Sequence, residues 1–335
     1  MITVKETVKT EYFRSKIFSQ YFGDMKIAAF DIETMGLSAR NSELVLSCFM
    51  EVSEDGTGYV TQYFLEDPLD EVLLMEKTID ELKKYDAVIT YNGNTFDIPF
   101  VKERAKRLGI DKEFHVYNLD LFPCVQHYSD LRNVLTGLRQ KDIERYLRIS
   151  EDREDTISGK ESVELFRLYL DEPKDDLREE YKKKILTHNF EDVTQLYRIM
   201  KILKELDFHR SRARMGFPVK TALLKPVHIM RTELKNQQLI ISGRFSDPDF
   251  TYISFENGET EFRSDGTFSI KIPVEKHAKA QFINLRRFGP VNGNLSSLKG
   301  YENGYLILKN EDTYWQEMNL LAKDILIKTI EKVTG

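Results

Sequence analysis

Two acidic residues near the start of the chain, Asp31 and Glu33, have the side-chain types and the spacing that suit metal chemistry. They stand two positions apart at the end of an apolar run over residues 27–30. Because successive side chains of a strand point to opposite faces, this spacing puts both carboxylates on one face. Neighbouring carboxylates repel each other unless a cation lies between them. The pair is therefore either a site for a divalent metal ion or a strand end capped by solvated acids, and the other acids of the chain favour the metal site.

A third acid, Asp97, follows a short apolar run and the polar turn Asn92-Gly93. The residues after it, 101–109, carry Lys and Arg at helical spacing and end on a glycine. Glycine after a periodic segment marks the end of a helix. Asp97 is therefore expected at the point where a loop enters a helix.

His188 and Asp192 stand four residues apart in a long helical pattern. Residues at this spacing share one face of a helix. His188 is therefore either a member of the site or an ordinary histidine on a helix surface, and the spacing alone leaves both interpretations open.

These acidic motifs, in this order, resemble those of the DEDD superfamily, the 3′→5′ exonucleases with a ribonuclease H-like fold. Residues 91–109 are similar to the proofreading domain of family B DNA polymerases, and the third motif is closest to that of the YprB-like ribonuclease H-like proteins. The resemblance covers about the first two thirds of the chain. The matching residues are Asp31, Glu33, Thr34 and Gly36 in the first motif, Asn92, Phe96 and Asp97 in the second, and Asp192 in the third.

The resemblance implies hydrolysis of a phosphodiester bond with two Mg²⁺ or Mn²⁺ ions as cofactors. Two such ions, roughly 3.5–4 Å apart, stabilise both the attacking and the leaving oxygen, and Mg²⁺ prefers hard oxygen ligands. On this basis Asp31 bridges both ions. Glu33 and Asp192 hold the ion on the side of the attacking water, and Asp97 reaches the other ion.

The superfamily divides by the residue that orients the attacking water. This residue is a Tyr four positions before the last Asp or a His five positions before it. Here His188 lies four positions before Asp192, and Thr187 lies five before it. We expect His188 to orient or deprotonate the water, a task that suits an imidazole near neutral pH.

The resemblance also names a partner, single-stranded RNA or DNA. We expect Thr34, Met35, Asn92 and Phe96 to contact it. Asp120 ends another apolar strand-like run, and it either supports the metal site or caps its strand.

Strand-like and helix-like segments alternate before residue 208, as in an α/β protein. We predict a ribonuclease H-like mixed sheet flanked by helices over residues 1–207. The predicted strands are 27–30, 42–52, 59–65, one entering Tyr91 and one before Asp120; the predicted helices are 70–84, one after Pro99, 138–147, 162–170 and 176–206.

After residue 227 the apolar residues alternate with period two, which predicts a β-rich domain over residues 208–335. Asn257-Gly258 and Asp265-Gly266 are hairpin signals, and an amphipathic helix over 314–332 ends the domain. This domain is either a five-stranded nucleic-acid-binding barrel or a β-sandwich that serves as a lid or a dimerisation module. Its predicted strands are 238–245, 250–255, 261–262, 267–272 and 280–285.

The formal net charge of −6 does not mark a nucleic-acid-binding protein, but the distribution of charge matters more than its sum. Residues 208–231 contain six basic residues and no acid. A polyanion could follow this segment, with Arg210, Arg212 and Arg214 as contacts. An ordinary basic linker is the alternative.

No apolar stretch is long enough to span a membrane, and charged residues interrupt the first 22 positions. We therefore expect a cytoplasmic protein with no membrane partner. The leading hypothesis is a metal-dependent 3′→5′ exonuclease. The alternative is a non-catalytic nucleic-acid-binding protein that retains the exonuclease fold.

Overall fold

The structure of the protein, a computed structural model, describes residues 1–150, 153, 157–223, 225–246, 250–290 and 293–334. The chain divides into two compact units. The first contains Met1–Arg14 and Met25–Leu206, and the second contains Ser15–Asp24 and Asp207–Gly335. The sequence patterns did not indicate that residues 15–24 belong with the second unit.

The elements follow one another closely along the chain. The strands are β1 Ile2–Lys9, β2 Ile27–Thr34, β3 Leu44–Val52, β4 Thr57–Phe64, β5 Ala87–Thr90, β6 Tyr117–Asp120, β7 Phe217–Val219, β8 Val227–Lys235, β9 Gln238–Arg244, β10 Tyr252–Ser254, β11 Glu259–Phe262, β12 Thr267–Pro273, β13 Glu275–His277, β14 Ala280–Asn284, β15 Tyr301–Glu302 and β16 Tyr305–Lys309. The helices are α1 Lys16–Phe22, α2 Glu71–Leu82, α3 Asp97–Arg107, α4 Leu121–Tyr128, α5 Leu131–Val134, α6 Gln140–Leu147, α7 Gly159–Asp171, α8 Asp175–Arg198, α9 Phe208–Met215, α10 Gly293–Ser296 and α11 Trp315–Thr334. Short 3₁₀ helices cover Pro68–Asp70, Ile199–Glu205 and Leu285–Phe288.

In the first unit, β2 lies inside a six-stranded sheet with the order β1-β4-β3-β2-β5-β6. β1, β4, β3 and β2 pair antiparallel, whereas β5 and β6 run parallel to β2. Ala28, Phe30 and Ile32 of β2 are buried, and α8 packs across β2 and β3. The predicted α/β class, a mixed sheet flanked by helices, is confirmed.

The strand register determines which residues reach the functional edge of this sheet. Ala29 pairs with Ile89, and Thr90 pairs with Asp120. β5 ends at Thr90, so Asp31 and Glu33 extend beyond the end of the neighbouring strand. Because the carboxyl ends of parallel strands meet at one edge, the ends of β2, β5 and β6 lie together, which is where open α/β sheets bind ligands.

Packed aromatic rings hold the sheet against its helices. The rings of Phe30 and Phe49 lie 4.8 Å apart between centroids, and those of Phe64 and Phe166 lie 5.8 Å apart. All four side chains are buried, and burying each one stabilises the fold by roughly 1.5–3 kcal/mol. This core is a firm base for β2 and α8.

The prediction for the first unit missed β1 and the short helices α4 and α5, and it continued the last helix too far. β1 was not predicted because it is an edge strand with frequent Lys and Glu, the residues that protect sheet edges. The helix expected to continue to residue 206 instead ends as an α-helix at Arg198, and Ile199–Glu205 is a 3₁₀ helix. The buried pairs Ile199/Ile202 and Met200/Leu203 have the three-residue spacing that aligns side chains in a 3₁₀ helix.

The second unit contains a six-stranded antiparallel sheet, β10-β11-β12-β9-β8-β7, and a four-stranded antiparallel sheet, β13-β14-β16-β15. The hairpins at Asn257-Gly258 and Asp265-Gly266 are confirmed. The turn between β8 and β9 was missed because Gln237 stands where a hairpin usually has glycine; Asn236 and Gln237 both have positive φ, 52° and 55°. The larger sheet is open, with edges at β10 and β7, and so differs from a closed five-stranded barrel.

Among the helices that the structure describes, none combines the length and the apolar character that crossing a membrane requires.

Candidate metal centre

The end of β2 presents the first pair of acids. Asp31 and Glu33 lie on one face of the strand, just before an irregularity in its pairing with β3 at Glu33/Thr34. The Asn189 side-chain amide donates a hydrogen bond of 2.8 Å to Asp31 Oδ2. Thr34 Oγ1 donates to the Gly36 carbonyl at 2.8 Å, which closes the turn after the acids.

The loop before Asp97 is shaped by Asp120. The Asp120 carboxylate accepts hydrogen bonds from the backbone N–H groups of Asn92 at 2.7 Å and Asn94 at 3.0 Å, and it caps α4 through Phe122 N–H at 3.1 Å. Asn92 has a φ of 71°, a conformation that asparagine tolerates better than most residues. Asp120 is therefore a positioning residue that orients the loop and starts a helix.

Close packing fixes the same loop at Gly93. A Cβ atom added there would lie 2.3 Å from Thr90 Oγ1, so only glycine fits. The chain then enters α3 with Asp97 as its first residue, as predicted, and the Asp97 side chain is buried.

α8 supplies the third part of the site. His188 Nε2 lies 3.6 Å from Glu33 Oε1 and 3.5 Å from Asp192 Oδ2. His188 is only 3% exposed, so the alternative of a histidine on the helix surface is excluded. One ligand atom from each of Glu33, His188 and Asp192 can be chosen so that all lie within 4.8 Å of one another, close enough to hold one metal ion.

The carboxylates influence each other strongly. Burial raises the pKa of Asp31 well above its usual value, the Asp97, Glu33 and Asp192 carboxylates raise it further, and the hydrogen bond from Asn189 opposes them. Burial likewise raises the pKa of Asp97 to about 7; backbone hydrogen bonds oppose this shift, while Asp120 and Glu33 add to it. The cause is uncompensated negative charge in a buried place. The donor set therefore fits hard divalent cations, which would relieve the repulsion.

Arg153 brings a cation to these acids and was not singled out by the sequence analysis. Its guanidinium contacts Asp192 through Nη2, both oxygens of Glu144 through Nη1 at 2.8 and 2.9 Å, and Glu191 through Nε at 3.5 Å. Glu144 on α6 is fully buried, and the Arg153 side chain is 8% exposed. A single arginine outside the helices and strands has no periodic pattern, so only the fold reveals it.

Asn189 and Gln62 are the other residues missed as parts of the site. The Gln62 side chain on β4 donates to the Leu186 carbonyl at 2.9 Å and to Asn189 Oδ1 at 3.3 Å. Asn189 in turn donates to Asp31. This chain of hydrogen bonds fixes the orientation of Asp31; the position of Asn189 beside His188 was the one available signal.

The predicted substrate contacts are placed unequally. Asn92 is exposed, whereas Met35 and Phe96 are half-buried against the core. Thr34 is 8% exposed and hydrogen-bonded within its own turn. Leu37, which follows that turn, is 89% exposed.

The predicted role of Arg212 in substrate binding is wrong. Arg212 is fully buried in the second unit, where its guanidinium donates to the Gly216 carbonyl at 3.2 Å and lies over the Phe208 ring. Arg210 and Arg214 are exposed, and Arg214 lies over the Trp315 ring. For these two arginines the contact with substrate stays a prediction.

Comparisons with known proteins identify the family of the first unit. A family model described as RNase_H superfamily matches residues 28–204. A DNA polymerase of Methanocaldococcus jannaschii is 36% identical over 96 residues, which are 26% of this chain and 6% of the polymerase. A DNA polymerase of Pyrococcus glycovorans is 34% identical over 98 residues, which are 26% of this chain and 12% of the polymerase.

A solved structure, the family B DNA polymerase from the hyperthermophilic archaeon Pyrobaculum calidifontis, has a TM-score of 0.41 and 20% identity, and the match covers 53% of this chain and 24% of that one. This chain thus spans only a small part of the polymerases that it resembles. The resemblance to ribonuclease H-like proteins, inferred above from the motifs, is confirmed. Because the family model covers more than half of the chain, the protein belongs to the RNase H superfamily.

Proposed function

We propose that the first unit is a metal-dependent 3′→5′ exonuclease that hydrolyses single-stranded RNA or DNA. The observation that carries this proposal is the convergence of Asp31, Glu33, Asp97, His188 and Asp192, from three separate segments, at one edge of the sheet. Membership of the RNase H superfamily supports a nuclease. The direction of degradation rests on the motifs that resemble proofreading domains.

Four carboxylates would hold the metal: Asp31, Glu33, Asp97 and Asp192. The raised pKa values of Asp31 and Asp97 support this assignment, because burial and the neighbouring carboxylates disfavour the ionised form of both acids. When bound, two divalent cations stabilise the charge that develops on the attacking and leaving oxygens.

His188 would manage the proton of the attacking water. The imidazole is buried, and its Nε2 faces the Glu33 and Asp192 carboxylates. Water attacks phosphorus, the bond from phosphorus to the O3′ oxygen breaks, and the water proton passes toward His188 Nε2. The leaving O3′ oxygen takes a proton from solvent water. The products are a nucleoside 5′-monophosphate and a shortened strand with a 3′-hydroxyl. Such proton transfer typically contributes about 10²–10⁴-fold to a rate.

The rim of the site would bind the last nucleotides of the strand. Asn92 is exposed beside the acids, and Leu37 extends into solvent after the turn at Thr34. An exposed leucine gives a base an apolar surface, and the Asn92 amide can both donate and accept hydrogen bonds. Met35 and Phe96 would support this surface from below.

The position of Arg153 favours a second candidate, a nucleic-acid-binding protein without catalysis. Its guanidinium already pairs with Asp192, one of the proposed ligands. A fixed internal cation would make a metal ion unnecessary for neutralising the acids. The two candidates differ in whether divalent metal binds and whether it permits hydrolysis.

The test is an assay of the purified protein with Mn²⁺ or Mg²⁺ on single-stranded RNA and DNA labelled at either end. A 3′→5′ exonuclease releases a labelled mononucleotide at once from 3′-labelled strands, shortens 5′-labelled strands stepwise, and leaves circular single strands intact. EDTA and the Asp31→Asn variant should abolish hydrolysis. The matched control, Glu54→Gln, removes an exposed carboxylate in the turn between β3 and β4 and should behave as the parent.

Full activity in EDTA or in Asp31→Asn would contradict the metal-dependent model. Strand binding without any hydrolysis, with no shift of the melting temperature by Mn²⁺, would select the non-catalytic candidate.

A further inference from the structure

A second group of like charges, formed by basic residues, lies in the first unit outside the motifs described above. A cleft of about 380 Å³ has six basic side chains and one acid in its wall. We call it the basic cleft. Its charged residues are Lys9, Arg14, Arg148, Arg198, Lys201, Lys204 and Glu11.

The basic cleft is positively charged, whereas the chain as a whole has a formal net charge of −6. Cations held around one concavity repel each other, and they raise the local concentration of anions. Lys201 pairs with Glu11 at 2.8 Å, and Lys9 donates to Thr57 Oγ1 at 2.7 Å. Such surface contacts are weak and exchange readily for stronger partners. The cleft is therefore suited to an anion.

The backbone at Arg148 supports a functional use of its side chain. Arg148 follows the last residue of α6 and has a left-handed conformation, with a φ of 56°. Glycine is the usual residue at this position because a Cβ atom is unfavourable there. Arg148 has a strained backbone conformation, and its side chain lines the cleft. Backbone strain of this kind is an observation from which function can be inferred.

Aromatic rings accompany the cations. Phe13 and Tyr197 also line the basic cleft, and Tyr197 Oη accepts a hydrogen bond of 2.9 Å from the Phe13 backbone N–H. Phe13 is half-buried, so part of its ring is accessible. Cations that follow a phosphate backbone, together with rings on which bases stack, are the common means of binding single strands.

The same two helices carry both charged regions. α6 contains Glu144, which pairs with Arg153 beside the site acids, and Arg148 directly follows α6. α8 carries Asp192 and, six residues later, Arg198. Six residues of α-helix rise roughly 9 Å, and Arg198 lies on a different side of the helix from Asp192. A strand a few nucleotides long spans this distance.

We propose that the basic cleft binds the sugar-phosphate backbone of a single-stranded nucleic acid, at nucleotides remote from the scissile end. The identity of the strand as the substrate rests on the proposed function, whereas its binding in the basic cleft does not. Lys204, Arg148 and Arg14 contact phosphates, and the Phe13 ring stacks on a base.

The test measures binding without hydrolysis. Fluorescence anisotropy in EDTA follows labelled single strands on the Asp31→Asn protein, with and without the added pair Arg148→Gly and Lys204→Gln. Glycine at residue 148 removes a charge while fitting the left-handed backbone, so the fold is retained. The control pair, Lys77→Gln and Lys83→Gln, makes the same change of charge at two exposed positions, one on α2 and one directly after it.

Each phosphate neutralised contributes roughly −0.7 to the log–log slope of affinity against salt. Loss of two contacts should lower the slope by about 1.4 and weaken binding about tenfold or more near physiological salt, and the control pair should change neither. An unchanged slope in the cleft pair overturns the proposal. Displacement of the strand by inorganic phosphate as effectively as by an unlabelled strand also overturns it, because the cleft would then bind small anions.

Failure of the proposed function would look different. It would appear as absence of hydrolysis by the parent protein in metal, whereas the salt slopes are measured without metal and without turnover.

Discussion

The acid cluster, formed by Asp31, Glu33, Asp97, Glu144 and Asp192, and the basic cleft each take residues from α8 and from α6 or the position after it. The two regions differ in where they place like charges. The acids are buried or half-buried. Asn189 donates a hydrogen bond to Asp31, Gln62 in turn donates to Asn189, and backbone groups donate to Asp97. The cations of the cleft are mostly exposed. Repulsion between buried charges is poorly screened, so it changes protonation and selects a compact multivalent cation. Repulsion between exposed charges is screened by salt and selects an extended polyanion.

The largest expected effect is the loss of activity when single carboxylates of the acid cluster are removed. Asp31→Asn or Asp192→Asn should each lower the rate by on the order of 10⁴, and the double variant should lose little more, because the carboxylates act together on shared ions. Single-turnover rates at two salt concentrations measure this. If the two losses multiply, or if raised salt restores the rate, the acids act independently and the contrast with the cleft is broken.

His188 tests whether the cluster has one role or two. If it handles the water proton, His188→Ala should slow turnover by roughly 10²–10⁴-fold while Mn²⁺ affinity stays unchanged. His188→Tyr should keep part of the activity, since Tyr stands at this position in one branch of the resembling superfamily. A large loss of Mn²⁺ affinity in His188→Ala would instead identify His188 as a metal ligand.

Arg153 is an arginine that contacts Glu144, Glu191 and Asp192, and removing it should act mainly on the stability of the fold. Arg153→Met leaves Glu144 buried without its main cation, a change that costs about 3–5 kcal/mol in buried pairs. Adding Glu144→Gln should recover much of this loss. Urea unfolding of both single variants and the double variant gives the coupling; additive effects would show that the pair does not stabilise the fold.

A pH series sharpens the electrostatic part of the comparison. The pKa of Asp97 is about 7 in the folded protein and near 3.9 when unfolded. A raised folded value means that the stabilising contribution is complete below the unfolded pKa and is lost as pH rises through the folded one. In EDTA the melting temperature should therefore fall between pH 5 and pH 8, and Mn²⁺ should raise it most at pH 8. Asp97→Asn should flatten both trends relative to the parent. If the melting profiles of the variant and the parent superimpose, Asp97 is not the group that causes the pH dependence.

The smallest expected effect belongs to the basic cleft. Arg148→Gly should stabilise the protein by roughly 1 kcal/mol by relieving the left-handed backbone, although it weakens strand binding. Arg148→Ala is the matched control, because it removes the same charge and keeps the strain. Equal stability of the Gly and Ala variants would mean that the backbone at this position is unstrained.

Local patterns predicted what depends on spacing. The strand ending at Asp31 and Glu33 and the helix face shared by His188 and Asp192 follow from periods of two and about four residues. The loop at Asn92 and the helix beginning at Asp97 follow from turn chemistry. Each of these signals lies within a single element.

Contacts between elements escaped prediction except where the resemblance supplied them. Arg153 reaches Glu144 and Asp192 only through the fold, and the basic cleft gathers its cations from three separate segments, none of which forms a charged run. Arg212 is an instructive intermediate case. It stands four residues after Phe208, so helical spacing alone places the two on one face. That signal was available, but the basic composition of residues 208–231 suggested a substrate contact instead.

The path of the chain near its start has a practical consequence for making fragments. Phe18, Tyr21 and Phe22 of α1 are buried in the second unit, where their rings pack with Phe208, and Tyr21 also packs with Phe217. A fragment that stops at residue 207 would keep α1 and lose these partners, leaving three aromatic side chains in water. A fragment that begins at residue 208 would lack α1 and expose the surface around Phe208 that α1 covers. Dissecting this protein therefore requires a rearranged gene that joins residues 15–24 to the second unit, because a cut at one point leaves both products with an open apolar face.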